Sequence, residues 1–285
     1  MISARSARAP RVASHLRRRG RESYGGSVIP NRDDVNLATS LVTEAAALAA
    51  DVRATGDLGT RTKSNVSDLV TAADVAAEEL VVGRLERERP DDGLLGEEGA
   101  VREGTSGRRW VIDPVDGTYN FATGSDYWCS AVALVDGDDP VLGAIAHHAS
   151  GTVVVGGPGF AATANGAALP RLADRPIGTL SAATYAHPTF VVRPEFADWA
   201  RAAALPATIR MLGSGSMDLA GVATGRLGCW FQHSTPDWDW MPGTAIVRGL
   251  GAATRRVQVG ELTWSIAGPP GAVEDIVAAL RGERA

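Results

Sequence analysis

Residues 110–121, WVIDPVDGTYNF, decide how the chain is read. Trp110, Val111 and Ile112 have the character of a buried strand, and Asp113-Pro114 marks its expected end, because proline offers no hydrogen to a sheet ladder. Asp116-Gly117-Thr118 then has the composition of a tight turn opening a helix. Two carboxylates leaving a strand end, followed by free backbone N–H groups at a helix start, make a pocket able to hold divalent cations and a phosphate together. An Asp-Gly turn alone says little: residues 136–140, DGDDP, are similar in composition and are expected to be merely solvated. The position of Asp113 and Asp116 after an apolar strand sets them apart.

The bulk properties narrow the function. The chain has 285 residues, 45% hydrophobic and 21% charged, ordinary for a globular protein and long enough for one large domain or two smaller ones sharing a core. A net charge of -5 gives no reason to expect a nucleic-acid surface, so the expected partner is a small metabolite. No apolar run approaches the roughly 18 residues of a membrane span, and no membrane contact is expected. Cys129 and Cys229 have neither disulfide nor zinc spacing and read as core residues of apolar strands, which fits a reducing cytoplasm. His15, His147, His148, His187 and His233 form no ligand pattern, and the His147-His148 pair reads as structural. Lys63 is the only lysine among 28 basic residues, which singles it out in a chain that otherwise uses arginine.

Residues 1–30 are rich in arginine and carry Gly25-Gly26-Ser27, the composition of a disordered extension. Residues 36–54 have apolar positions at helical spacing. Residues 68–71, DLVT, read as a short strand or turn. Asp74 opens a second helix that Pro90 stops, and a carboxylate there is favourable for the helix end alone. Leu94-Leu95 is a brief strand and Gly96-Glu97-Glu98-Gly99 an acidic turn, while residues 129–135 and 141–146 suggest an antiparallel hairpin. Beyond Pro170 strands alternate with helices, among them residues 216–225, 241–250 and 273–281. The expected organisation is an α+β half over residues 31–170 carrying the metal-binding acids and an α/β half over residues 171–285 completing the site.

Gly96-Glu97-Glu98, then Asp113-Pro114-Val115-Asp116-Gly117-Thr118 with Asn120-Phe121, then Trp238-Asp239, resembles the pattern of the inositol monophosphatase family, the magnesium-dependent, lithium-sensitive phosphatases. Lys63 followed by Asp68-Leu69-Val70-Thr71 and Asp74 is similar to that family's early motif, so the resemblance spans residues 35–285. It implies a layered αβαβα sandwich of the inositol monophosphatase and fructose-1,6-bisphosphatase type, mixing α+β and α/β halves, with the site between them and a homodimer as assembly. It also implies Mg2+. Glu97, Asp113 and the Val115 carbonyl would bind one ion, and Asp113, Asp116 and Asp239 a second. A third, weaker ion would lean on Glu97 through waters, near Lys63 and the phosphate. Asp74 and Thr118 would orient and deprotonate the attacking water. Asp116, Gly117, Thr118, Gly213, Ser214 and Gln232 would contact phosphate or substrate. Independent physical reasons agree, since magnesium prefers hard oxygens and keeps several waters. Two ions sharing a carboxylate can activate water on one side and stabilise a leaving alkoxide on the other.

Two departures bear on the substrate. Gln232 stands seven residues before Asp239, where inositol phosphatases place a hydroxyl-binding glutamate, and it can donate and accept hydrogen bonds without the charge. Trp240 follows Asp239 where small residues are usual, and it is expected to alter packing near the second ion, with Pro242 in the helix's first turn. The expected activity is hydrolysis of a small phosphate monoester, foremost inositol monophosphate. Histidinol phosphate is the main alternative, with a bisphosphorylated nucleotide or sugar behind it. A non-catalytic binding protein that kept the fold is the reading from another class, and the complete acidic set stands against it.

Overall fold

The computed structural model describes residues 30–63 and 69–283. The extension expected over residues 1–30 lies outside the described residues save for Pro30, and so does Asp68. The first stretch of chain forms α1 (Arg32–Ala54), β1 (Arg61–Thr62), β2 (Leu69–Val70), α2 (Ala72–Glu88), β3 (Gly93–Gly96), β4 (Val101–Arg102), β5 (Arg108–Asp116) and α3 (Thr118–Ala122). A meander follows: β6 (Cys129–Asp136), β7 (Asp139–His147), β8 (Thr152–Gly157), β9 (Phe160–Ala164) and β10 (Ala167–Ala168). The remainder alternates through β11 (Ser181–Thr184), α4 (Phe196–Ala203), β12 (Thr208–Arg210), α5 (Gly215–Ala223), β13 (Cys229–His233), α6 (Asp237–Gly249), β14 (Ala253–Val259), β15 (Leu262–Gly268) and α7 (Pro270–Leu280).

Among the described residues, β3 to β10 form an eight-stranded sheet in the order β10-β9-β8-β7-β6-β5-β3-β4, and β11 to β15 a five-stranded sheet in the order β12-β11-β13-β15-β14. Three apolar layers separate the elements. The first joins α1 and α2 to one face of the large sheet through Leu41, Val81, Trp110 and Leu134. The second sets α5 and α6 between the two sheets, with Leu219, Trp240 and Ile246 against Val111, Ala131 and Trp230. The third packs α4 and α7 on the outer face of the small sheet through Trp199, Ile276 and Trp264. The resulting αβαβα sandwich is the architecture expected from the sequence.

Local chemistry explains the helices. Asn31 caps α1, accepting from the Asp34 N–H at 2.9 Å while the Asp34 carboxylate accepts from the Asn31 N–H at 3.3 Å, a reciprocal pair that satisfies two otherwise orphaned donors. Against the expectation of no membrane-length run, α1 is long and apolar enough to cross a membrane by length and composition. Its Leu37, Leu41, Val42, Ala45 and Ala49 are buried against the protein's own core, as in a core helix.

The structure corrects two expectations near the site. β5 does not stop at Asp113-Pro114 but runs to Asp116, with Asp113 opposite Ala131 and Asp116 opposite Cys129, a register shift of one residue. A bulge leaves its extra residue outside the ladder, so the missing proline hydrogen costs no ladder bond, and the Pro114 carbonyl is taken by Ser130 Oγ at 2.6 Å. α6 begins at Asp237 rather than at residue 241, since Asp237 and Asp239 suit a helix N-terminus. Pro242 therefore lies past the first turn, inside the helix, where its ring nitrogen offers nothing to the Trp238 carbonyl.

A buried ion network ties the N-terminus of α1 to the C-terminal side of α2 and to β5. Asp34, 1% exposed, receives Arg89 and Arg108, each at 3.0 Å, and Arg108 also binds Asp92 at 2.8 Å. Asp92 further accepts from Trp110 Nε1 at 3.0 Å. Removing one partner of a buried pair costs about 3 kcal/mol. Asp34→Ala is therefore expected to lower the unfolding free energy by about that amount in urea melts, whereas Glu44→Ala, which breaks a solvated pair with Arg84, should cost under about 1 kcal/mol.

Candidate active site

Thr71 caps α2, accepting from the Ala73 N–H at 3.2 Å and donating to Asp74 Oδ2 at 2.5 Å. The Thr71 N–H donates to the same oxygen at 2.9 Å. Asp74 is fully buried, and its other oxygen, Oδ1, lies 3.1 Å from Thr118 Oγ1. Thr118 is placed by the left-handed Gly117, φ 97°, which turns the chain from the end of β5 into α3. The Thr118 hydroxyl also lies 3.0 Å from the Val115 carbonyl, and with one hydrogen it serves one of these acceptors at a time.

The acidic turn after β3 carries Glu97. Its N–H donates to the Ile112 carbonyl of β5 at 3.2 Å, which sets Glu97 beside the strand that ends in Asp113. Lys63 Nζ reaches Glu97 Oε1 at 3.0 Å and Glu98 Oε1 at 2.6 Å. Burial alone would lower the Lys63 pKa, and the two carboxylates override it and hold the ammonium above its usual range.

The bulge aims Asp113 and Asp116 toward the second half of the chain. Asp116 Oδ1 accepts from the Gly215 N–H at 3.2 Å and Oδ2 from the Ser216 N–H at 2.5 Å, so this carboxylate sits on the positive end of α5. Asp239 lies in the first turn of α6. Asp113 is 1% exposed and its Oδ1 has no hydrogen-bond partner.

Like charges crowded out of water resist ionisation. Burial, then Glu97, Asp116 and Asp239, push the Asp113 carboxyl well above its usual range. Burial, then Asp116 and Glu97, do the same to Asp239, with a hydrogen bond to Asp113 acting the other way. Burial raises Asp116 as well, opposed by the Ser216 N–H. Glu97 is pushed up to about 7 by burial, with Lys63 opposing, and Asp74 to about 6 by burial, with Thr71 opposing. Among the described residues no three Asp, Glu, His or Cys side chains stand as a ready ligand group. A magnesium-type ion needs none, because it takes one or two carboxylates and keeps its waters. The donors are all hard oxygens, and an unpartnered buried carboxylate oxygen on Asp113 fits a hard divalent cation.

A model of the inositol monophosphatase family matches residues 31–280. The chain belongs to that family. It is thereby a phosphoric monoester hydrolase, in a family that is generally metal-dependent. It is 32% identical over 286 residues to an inositol-1-monophosphatase of Mycobacterium leprae, covering 89% of this chain and 96% of the relative. A histidinol-phosphatase of Streptomyces coelicolor is 43% identical over 123 residues, 42% of this chain and 46% of the relative. Among solved structures, the extragenic suppressor protein suhB of Bartonella henselae superposes with a TM-score of 0.78 at 25% identity, over 86% of this chain and 97% of that one.

The structure also places the other residues singled out in the sequence. Ser214 caps α5, its hydroxyl accepting from the Met217 N–H at 3.4 Å, and the preceding loop is tied to α3 by Asn120 Nδ2, which donates to the Leu212 carbonyl at 2.7 Å. Gly213 is left-handed, with φ 83°. Gln232 is half-buried on β13, and strand alternation puts it on the face of Trp230, toward α5 and α6. Trp240 packs against the small sheet. Its ring stacks on Trp230 with centroids 5.6 Å apart and carries the Arg256 guanidinium at 5.4 Å, because a helix side chain one residue past Asp239 points about 100° away from it. His147 is structural, bonded to the Asp126 carbonyl at 2.7 Å and Ser150 Oγ at 2.8 Å, and both cysteines are buried and free. One residue the sequence reading missed is Glu78, a carboxylate one helical turn after Asp74 on the buried face of α2. Its signal was a charge at i+4 within the apolar stripe.

The raised pKa values carry a sign. A carboxyl that holds its proton more tightly when folded stabilises the fold at low pH and loses that contribution as pH rises through its folded value. With Asp74 raised to about 6 and Glu97 to about 7, the metal-free protein is expected to lose stability between about pH 4 and 7. Added divalent cation should raise the melting temperature more at pH 8 than at pH 5.5. Scanning fluorimetry at both pH values checks this, and a metal-free melting temperature that climbs over that interval would count against the charge crowding.

Proposed function

We propose that the protein is a magnesium-dependent phosphatase of a small phosphate monoester, with inositol monophosphate as the leading substrate. The observation that carries this is the Asp74–Thr118 hydrogen bond at 3.1 Å, which joins α2 to the start of α3, just past the bulged end of β5 and beside the buried acids. Glu97, Asp113, the Val115 carbonyl, Asp116 and Asp239 would hold the ions, whose chemistry when bound is to polarise the phosphate and acidify water. Thr118 Oγ1 gives its hydrogen to Asp74 Oδ1 and takes one from the attacking water, so the proton ends on Asp74. A carboxylate raised to about 6 is suited to receive it near neutral pH. The attacking oxygen bonds to phosphorus and keeps its second hydrogen, the ester oxygen leaves with the bond's electron pair and takes a proton from solvent water to give the alcohol, and the hydroxide so formed is neutralised by the proton that Asp74 releases. Lys63 holds Glu97 and the phosphate side of the site in balance of charge, while the backbone of Gly117 and Thr118 would take the phosphate oxygens.

Histidinol phosphate is a second reading. The 43% identity over 123 residues to the Streptomyces coelicolor histidinol-phosphatase supports it, whereas Gln232 favours neither substrate, since it lacks the charge that would attract a polyol or an ammonium group.

Phosphate release from inositol 1-phosphate and histidinol phosphate with Mg2+ tests both readings. Turnover should vanish with a chelator and fall on millimolar lithium, and survival of activity under chelation would sink the metal mechanism. Asp74→Asn is expected to lower kcat by roughly 100-fold or more, the usual share of a general base, with KM little changed. Gln232→Glu should raise kcat/KM for whichever of the two substrates places its hydroxyl or ammonium group at position 232, and unchanged values for both would remove position 232 from substrate selection.

A further inference from the structure

Glu78 does not touch any of the groups to which the chemistry is ascribed, yet its carboxylate is buried, 5% exposed. Burying such a group costs free energy unless it is hydrogen-bonded, and packing alone calls for no charge on that face of α2. Both oxygens are used on one short segment. Oε2 accepts from the Glu98 N–H and Oε1 from the Ala100 N–H, each at 2.9 Å. The carboxylate fills the space beside Gly96 so closely that a Cβ there would stand 2.3 Å from Oε2 and 2.8 Å from Oε1. The same turn is closed by the Gly96 N–H on the Ala100 carbonyl at 2.7 Å, and Glu97 itself is pinned to β5 through Ile112 at 3.2 Å. Glu97 thus lies between two anchor points, β5 on one side and Glu78 on the other. Charge-assisted bonds to two successive parts of a turn fix its backbone more firmly than neutral ones.

We propose that Glu78 is a positioning residue that sets the Glu97 carboxylate for the divalent cation by holding the backbone of the 96–100 turn. This rests on the metal reading of the site, in which Glu97 is a ligand. Groups that orient a ligand typically change metal affinity by about 10- to 100-fold when altered. Glutamine keeps the shape of Glu78 but can accept from only one of the two N–H groups with its single oxygen, turning an NH2 toward the other. Gly96→Ala leaves Glu78 in place and pushes its carboxylate off the turn.

The experiment uses the full-length protein and Mn2+ as the spectroscopic probe, counting free ion by electron paramagnetic resonance, with Mg2+ activation of phosphate release as a second readout. Wild-type protein that binds no Mn2+ would overturn the metal reading itself, before any variant is compared. Given wild-type binding, Glu78→Gln and Gly96→Ala are each expected to weaken Mn2+ affinity by about tenfold and to raise the Mg2+ needed for half activation in parallel. Substrate KM at saturating Mg2+ should stay within about twofold, since the turn does not hold the leaving group. Because both changes act on one contact, the double variant should be little worse than the weaker-binding single variant. Affinity unchanged in both single variants, a lowered melting temperature with unchanged affinity, or fully additive losses in the double variant would each overturn the assignment. Should Glu78→Gln fail to fold, Gly96→Ala, which retains the carboxylate, decides it.

Discussion

Carboxylates placed together out of water must be supplied with donors or cations, and the architecture around this site follows from that demand. Asp74 receives Thr71 and Thr118, Asp116 receives two N–H groups at the start of α5, and Glu97 receives Lys63. Asp113 Oδ1 receives nothing from the protein. The protein therefore satisfies the rim of the cluster and leaves its centre under strain of charge, which is the electrostatic form of a cation site. Lys63, shared between Glu97 and Glu98, cannot balance the charge of Asp74, Glu97, Asp113, Asp116 and Asp239.

The fold meets this demand by bringing helix starts to one strand end. β5 supplies Asp113 and Asp116 on either side of a bulge, so one residue of register shift re-aims two carboxylates without breaking the sheet. α2 arrives from one face of the large sheet, while α5 and α6 arrive between the two sheets, from the other face. Each helix presents its N-terminal turn, where backbone N–H groups lack partners and negative charge is favoured. The positions of Asp74, Asp116 and Asp239 are thus consistent with the helix ends before any catalytic role is considered. That double use explains why such acids can be buried at a cost the domain tolerates.

Much of this was legible in one dimension. Helical spacing marked α1, Asp74 and Pro90 bounded α2, and the alternation of apolar runs with turns marked the meander and the later helices within a few residues. The acids announced themselves by following apolar strands or opening helices. What escaped was either register or direction. Pro114 argued for a strand end, but a bulge accepts proline, and nothing local distinguishes the two. Trp240 was expected to alter packing beside Asp239, but its spacing could not show that its ring lies between Trp230 and Arg256. Glu78 was visible as a charge in an apolar stripe, but its target, the backbone of Glu98 and Ala100, is twenty or more residues away in the chain.

By itself the sequence determined the family pattern, the order of elements, and the identity of the acids around Trp110 to Phe121, because these depend on spacing and composition within short windows. Only the tertiary structure decided which of those acids are starved of donors, where Gln232 and Trp240 point, and that a carboxylate on α2 grips the turn carrying Glu97. Those outcomes depend on distances between segments far apart in sequence, and hydrogen bonding and charge repulsion act through space over a few ångströms, not along the chain.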